Sequence, residues 1–202
     1  MLRFDAVPDS VKALLVRLAP DEALDGFALG GGTSLALRFG HRLSVDLDFF
    51  TLSEFSTEAV SLALQSYQGT VIGQAKNSLT LDVGGVKLDL LRHAYHQLNL
   101  PEVLDGVRMI SLPDVSAMKL NAIANRGSKK DFYDIVELLE HFSAKELIGF
   151  FVAKYPASDP FMVIRSLAWF EDAEIEPDPI SRKQVTWTEV KARVMSAVAN
   201  LQ

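Results

Sequence analysis

The sequence predicts an α+β fold, with a mixed sheet and flanking helices in residues 1–110 and a helical region in residues 111–202 that packs on that core. Two patterns carry the prediction. Period-two runs such as "LSVDLDFFT", "LTLDV" and "GGVKLDLL" all fall in the first half, and a strand with one buried face needs that alternation. From about Pro113 the chain changes to apolar residues at helical spacing, in stretches opened by a Ser, Thr or Asp able to cap them. With 202 residues and 49% hydrophobic content the chain can bury a sizeable core, and strands followed by helices suit an α+β arrangement.

Taken in order, Val11, Leu14, Leu15 and Leu18 mark a helix over Ser10–Leu18 that Pro20 stops. "GFALGGG" reads as a short strand entering a glycine turn, Thr33–Phe39 as a helix, and "LSVDLDFFT" as the next strand. Ser56 can cap a helix to about Gln65, and strands "TVIGQA" and "LTLDV" are joined by a turn at Asn77-Ser78. Gly84-Gly85 between two alternating runs predicts a hairpin. In the second half, Asp114 and Ser128 are expected caps, Ser143 with Glu146 and Thr186 with Glu189 are capping boxes, and Pro160 opens a helix after Ser158-Asp159.

Composition narrows the function. The absence of cysteine excludes a disulfide framework, a cysteine-based zinc site and a thiol nucleophile. No apolar run approaches the roughly 18 residues of a membrane span, and the N-terminus lacks a signal-peptide pattern, so a cytoplasmic protein without membrane contact is expected. A formal net charge of -6 argues against a broadly basic, non-specific nucleic-acid coat while leaving room for a local basic site.

The chemistry concentrates in "GGGTSLALRFGHRLSVDLDFF". On a strand Asp46 and Asp48 share one face while Val45, Leu47 and Phe49 pack on the other. Two unit charges about 4 Å apart repel by ~4 kcal/mol at the effective dielectric near a protein surface, so a compensating group is expected. Two solvated aspartates on an open face is the plain reading; a hard divalent cation, Mg²⁺ or Mn²⁺, is the sharper one. Asp89 in "VKLDLL" adds a third carboxylate, opposite Val86, Leu88 and Leu90, and three such groups on neighbouring strands can serve an in-line phosphoryl displacement. Gly31-Gly32-Thr33 at a helix start offers backbone N–H groups and the helix dipole to a phosphate.

These stretches resemble the AbiEii/AbiGii-type nucleotidyltransferase toxins of the DNA polymerase β-like superfamily. Gly31, Gly32, Thr33, Arg42, Ser44, Asp46 and Asp48 match the first motif, Asp89 the second, and "LPDVSAMKLNAIANRGSKKDFYDIVELL" is similar to the helical motif. A weaker similarity lies in "LAWFEDAEIEPDP", and the resemblance spans roughly residues 25 to 195. It implies a polymerase β-like mixed sheet and transfer of a nucleoside monophosphate from an NTP to a hydroxyl. It implies metal at Asp46, Asp48 and Asp89, with Asp89 completing the metal site or helping to activate the acceptor hydroxyl. Nucleotide phosphate would be held at Gly31, Gly32 and Thr33, with Arg42 and Ser44 in the same motif, and the helical region would complete the nucleotide site. The implied acceptor is the 3′ end of tRNA, and the implied partner a separately encoded antitoxin. The chain is short for the group, and an acceptor-binding region is the part expected to be reduced.

In the helical motif the resemblance gives Lys119 to the triphosphate and makes Asp131 the late acidic catalytic residue, which would orient the nucleotide or accept a proton. Read without it, Lys119 is a lysine on a solvated helix face. Arg126, Lys129 and Lys130 around Gly127 form a basic patch able to steer a triphosphate or an RNA backbone. Asp131 and Asp134, at i and i+3, suit the start of a helix dipole as well as a functional role. Two other functions remain open at this point. Asp-x-Asp also serves glycosyltransferases that bind nucleotide-sugars through Mn²⁺, and a non-catalytic nucleotide-binding partner module would use the same phosphate turn.

Overall fold

The computed structural model describes residues 1–201 and divides into two compact units. The first holds Met1–Arg38, Ser44–Tyr95 and Pro101–Ile110; the second holds Phe39–Leu43, His96–Leu100 and the chain from Ser111 onward.

The first unit is built on a seven-stranded sheet among the described residues, ordered β3-β4-β5-β2-β1-β7-β6. Its strands are β1 (Ala28–Leu29), β2 (Leu47–Thr51), β3 (Thr70–Ala75), β4 (Ser78–Val83), β5 (Val86–Arg92), β6 (Glu102–Leu104) and β7 (Val107–Met109). The sheet is mixed: β2 pairs parallel with β5, and β1 parallel with β7, while β1–β2, β3–β4, β4–β5 and β6–β7 are antiparallel. Helices α1 (Asp9–Leu18), α2 (Gly31–Phe39) and α3 (Thr57–Ala63) accompany it. Leu15 and Leu18 of α1, Leu37 of α2, Leu47 and Phe49 of β2, and Leu79, Leu88 and Leu90 of the β4–β5 hairpin are buried in one core. Each such side chain contributes about 1.5–3 kcal/mol by leaving water, which fixes the strand register and hence the opposite, polar face.

Three local expectations are corrected. The strand read as "LSVDLDFFT" begins only at Leu47; Asp46 precedes it, and Val45 is exposed rather than packed beside Leu47. The reason is that Ser44 bonds the Ala6 carbonyl through its backbone N–H, and its hydroxyl meets Thr33, so this segment follows a loop path before pairing starts. The β3–β4 turn is Lys76-Asn77, with Asn77 at φ 58, and Ser78 already lies in β4. The β6–β7 hairpin, absent from the strand expectations, turns on Asp105-Gly106, both at positive φ, an Asp-Gly signal for a two-residue turn.

The second unit contains α4 (Leu112–Arg126), α5 (Lys129–Leu138), α6 (Ala144–Lys154), α7 (Pro160–Leu167), α8 (Glu171–Glu174) and α9 (Trp187–Ala199). Both capping boxes form as the spacing predicts, Ser143 with Glu146 and Thr186 with Glu189. The cap of α4 is Ser111, whose hydroxyl accepts from the Asp114 N–H; Asp114 sits in the first turn and is buried, where it accepts from the Lys154 ammonium at 2.7 Å. A serine followed two residues later by proline makes the earlier residue the natural boundary. The Ser128 hydroxyl is turned away from α5 to Glu176. Phe132 packs against Phe170 and Trp187 at the centre of the helical core.

Candidate active site

The carboxylate face is made by the sheet unit. Asp48 and Asp89 are directly paired in the parallel β2–β5 register, so both side chains leave the same face of the sheet. The Asp48 carbonyl accepts from the Gly30 N–H at 2.8 Å, which joins the end of β1 to β2 at the start of α2. Gly31 has φ +63, and a Cβ placed on it would stand 2.2 Å from Asp48 Oδ2. Only glycine fits both constraints, so the Asp48 carboxylate rests against the first turn of α2. The N–H groups of that turn have no partner within a helix, and α2 begins at Gly31 itself, two residues before the expected Thr33.

Thr33 binds this start to the aspartate loop. Its Oγ1 lies 2.8 Å from Ser44 Oγ and hydrogen-bonds the Asp46 carbonyl. Thr33 and Ser44 are buried, whereas Asp46 and Asp48 are partly open. Asp89 is 8% exposed; its Oδ1 accepts from Thr80 at 2.6 Å and its Oδ2 from the Lys87 ammonium at 2.6 Å. The Lys87 ammonium is held above its usual pKa by the Asp89 hydrogen bond, against partial burial, and further by the charges of Asp89, Asp48 and Asp46. One cation therefore senses all three carboxylates.

Among the described residues no group of three or more His, Asp or Glu side chains stands as a ready-made metal cluster, and Asp89 has both oxygens engaged. The donors on this face fit a hard divalent cation in kind, since all are carboxylate oxygens.

The remaining candidates lie in the helical unit and form an ion-pair network. Asp134 accepts from Arg42 Nε at 2.8 Å and Arg42 Nη2 at 2.9 Å, lies 2.7 Å from His41 Nε2, and pairs with Lys119 Nζ at 2.6 Å. Asp131 pairs with the same Lys119 at 2.9 Å and accepts from Arg126 Nε at 2.8 Å. Asp131 and Asp134 are fully buried, and Arg42 and Lys119 nearly so. Burial opposes ionisation of Asp134, but the charges of Arg42 and Lys119, with the His41 hydrogen bond, hold it well below the usual carboxylate range. Burial likewise opposes ionisation of Asp131, which Lys119 and Arg126 keep low. The Lys119 ammonium is desolvated, yet the two aspartates raise its pKa overall.

This geometry overturns two expectations. Lys119 is not a solvated-face lysine, because it bridges two buried carboxylates. Arg126, Lys129 and Lys130 do not make one open basic patch: Lys129 is buried, paired with Asp178 at 3.0 Å and set over the Trp187 ring, while Lys130 is exposed. Among the expected site residues, Gly31, Gly32, Thr33, Ser44, Asp46, Asp48 and Asp89 thus belong to the sheet unit, and Arg42, Lys119, Arg126, Lys130 and Asp131 to the helical unit. His41 and Lys87 were not singled out in the sequence. The i, i+2 spacing of Lys87 to Asp89 was a signal for the second.

Solved structures share this architecture. MenT4, a nucleotidyltransferase toxin of Mycobacterium tuberculosis H37Rv, superposes with a TM-score of 0.63 over 94% of this chain and 83% of its own, at 17% identity. JHP933 from Helicobacter pylori superposes with a TM-score of 0.60 over 96% of this chain and 93% of its own, at 16% identity. The fold is that of the polymerase β-like nucleotidyltransferases. The chain belongs to the AbiEii family: the model described as "Nucleotidyl transferase AbiEii toxin, Type IV TA system" matches residues 13–200. In sequence it is 37% identical over 157 residues to the protein aq_aa25 of Aquifex aeolicus (strain VF5), covering 74% of this chain and 76% of that one. The protein is thus a nucleotidyltransferase of a toxin family, and membership implies an NTP substrate and an antitoxin partner. Among the described residues no helix is long and apolar enough to cross a membrane.

Proposed function

We propose that the protein transfers a nucleoside monophosphate from an NTP to the 3′-terminal hydroxyl of tRNA, releasing pyrophosphate, with Mg²⁺ or Mn²⁺ as cofactor. The observation that carries this reading is the in-register pair Asp48 and Asp89 set beside a helix that starts on glycine. Asp46, Asp48 and Asp89 would hold the cation, whose chemistry is to neutralise charge on the phosphates and lower the pKa of the attacking hydroxyl. The N–H groups of Gly31 and Gly32 at the N-terminus of α2 receive phosphate oxygens. Thr33 and Ser44 keep that turn aligned with the aspartate loop through their shared hydrogen bond. In the helical unit, Arg42 and Lys119 hold Asp134 and Asp131 in place, and Arg126 and Lys130, both exposed, offer charge to polyphosphate or to an RNA backbone.

Purified protein incubated with each α-labelled NTP, Mg²⁺ or Mn²⁺ and total tRNA is expected to label tRNA, and Asp46→Ala to abolish labelling while remaining folded. Transfer by Asp46→Ala at near-wild-type rate would remove the aspartate assignment. NTP binding without label on any RNA would remove the tRNA acceptor.

A further inference from the structure

The sheet face that bears Asp48 and Asp89 also bears Lys87, for which the proposed reaction has no role. Lys87 precedes Asp89 by two residues on β5, so both side chains leave the strand on one side. Its Nζ lies 2.6 Å from Asp89 Oδ2, and Asp89 is in register with Asp48 on β2. The Lys87 side chain is 49% exposed against 11% for Asp89. The ammonium therefore approaches the carboxylate from the solvent side, on a flexible stem that can swing away at small cost, as surface ion pairs do. Asp46 and Asp48 also raise its pKa, which places it within electrostatic reach of all three carboxylates.

We propose that Lys87 is the resident cation of the carboxylate face: it holds Asp89 until a divalent ion binds, must release that oxygen to the ion, and so sets the metal concentration at which the site loads. This rests on the reading that Asp46, Asp48 and Asp89 hold the metal. The physical reason is competition for the same negative potential. A tethered monovalent ammonium relieves the mutual repulsion of the aspartates in the metal-free protein, and a free divalent ion has to displace it. Removing the ammonium takes one positive charge from this field and leaves Asp89 Oδ2 without its ion-pair partner, which tightens metal binding and weakens the metal-free fold.

The test is Mn²⁺ titration of the whole protein, without NTP or RNA, followed by calorimetry or by loss of the free-Mn²⁺ electron paramagnetic resonance signal. Lys87→Met is expected to lower the Mn²⁺ dissociation constant several-fold and to lower the unfolding temperature in chelator, more so at low salt. Lys87→Arg, which keeps the charge, should stay close to wild type in both. In an Asp89→Asn background the Lys87→Met effect on Mn²⁺ should largely vanish. Wild-type binding with an unchanged or weaker constant in Lys87→Met overturns the role of Lys87 and leaves the metal reading standing. Folded wild type that binds no Mn²⁺ overturns both. Should Lys87→Met fail to fold, Lys87→Gln supplies the same comparison.

Discussion

Both units gather aspartates, but in opposite settings. In the sheet unit, Asp46 and Asp48 are partly open to water, and their charges act, with the paired Asp89, on an ammonium that is itself half exposed. In the helical unit Asp131 and Asp134 are wholly buried, and Lys119, Arg42 and Arg126 match them with donors at 2.6–3.0 Å. Like charges crowded at an accessible face retain a field that an incoming cation or phosphate-bound ion can relieve. Charges buried with their partners have that field already cancelled, and their effect is to fix where the backbone goes. The first arrangement suits chemistry and the second suits positioning.

The largest separation between the two settings should appear in stability. Asp134→Ala strips Arg42, Lys119 and His41 of a shared acceptor inside the protein, and breaking a buried ion pair from one side costs about 3–5 kcal/mol. Asp48→Ala, on a partly open face, is expected to cost clearly less stability than Asp134→Ala while abolishing nucleotide transfer. Denaturant unfolding of the two variants beside an activity assay measures both halves. Equal losses of stability would collapse the distinction.

How far each setting was legible in the sequence follows the same division. Asp46, Asp48 and Asp89 stood out because a strand pattern makes charge among apolar neighbours visible at period two, and the parallel register of Asp48 with Asp89 agrees with a shared face. The capping boxes at Ser143 and Thr186 were legible because they are local, three residues apart. The buried network was not, since nothing within a few residues of Lys119 shows that α5 and residues 41–42 will supply and share its carboxylates. A buried lysine and a solvated one have the same local pattern, and only tertiary pairing tells them apart. The late start of β2 was missed for a related reason. Thr33 and Ala6, far away in the chain, hold Ser44 and Asp46 off the strand path.

A smaller effect tests the contact between helix start and aspartate. Gly31 and Gly84 have nearly the same backbone, φ +63 and φ +61, but a Cβ on Gly31 meets Asp48 Oδ2 at 2.2 Å and one on Gly84 meets nothing within 4 Å. Alanine at either site incurs the left-handed backbone penalty of about 1–2 kcal/mol. Only Gly31→Ala should also displace the Asp48 carboxylate, and with it NTP-dependent thermal stabilisation and transfer. If Gly84→Ala lost nucleotide binding equally, backbone strain rather than the Asp48 contact would be the cause.

The smallest effect lies at the edge of the buried network. The Arg126 side chain is 56% exposed although its partner Asp131 is fully buried, so solvent screening limits Arg126→Gln to about 1 kcal/mol or less at neutral pH. The pH dependence carries more information than the magnitude. Burial works against the Asp131 carboxylate, and Lys119 and Arg126 together bring its pKa below normal. A depressed native pKa means that the unfolded chain binds the proton first. The stabilisation is therefore complete above the unfolded value of about 3.9 and is lost as pH falls through the native one. Without Arg126 the native pKa rises toward the unfolded one, so both proteins start to lose stability as the unfolded carboxylate protonates, but the variant loses less and levels off at a higher pH than wild type. The stability gap should be constant above about pH 5 and should close at lower pH, once Asp131 is protonated in both proteins. Unfolding curves from pH 3 to pH 7 measure this, and a gap that persists unchanged to the acid end would show that Arg126 acts through packing of its stem rather than through the charge of Asp131.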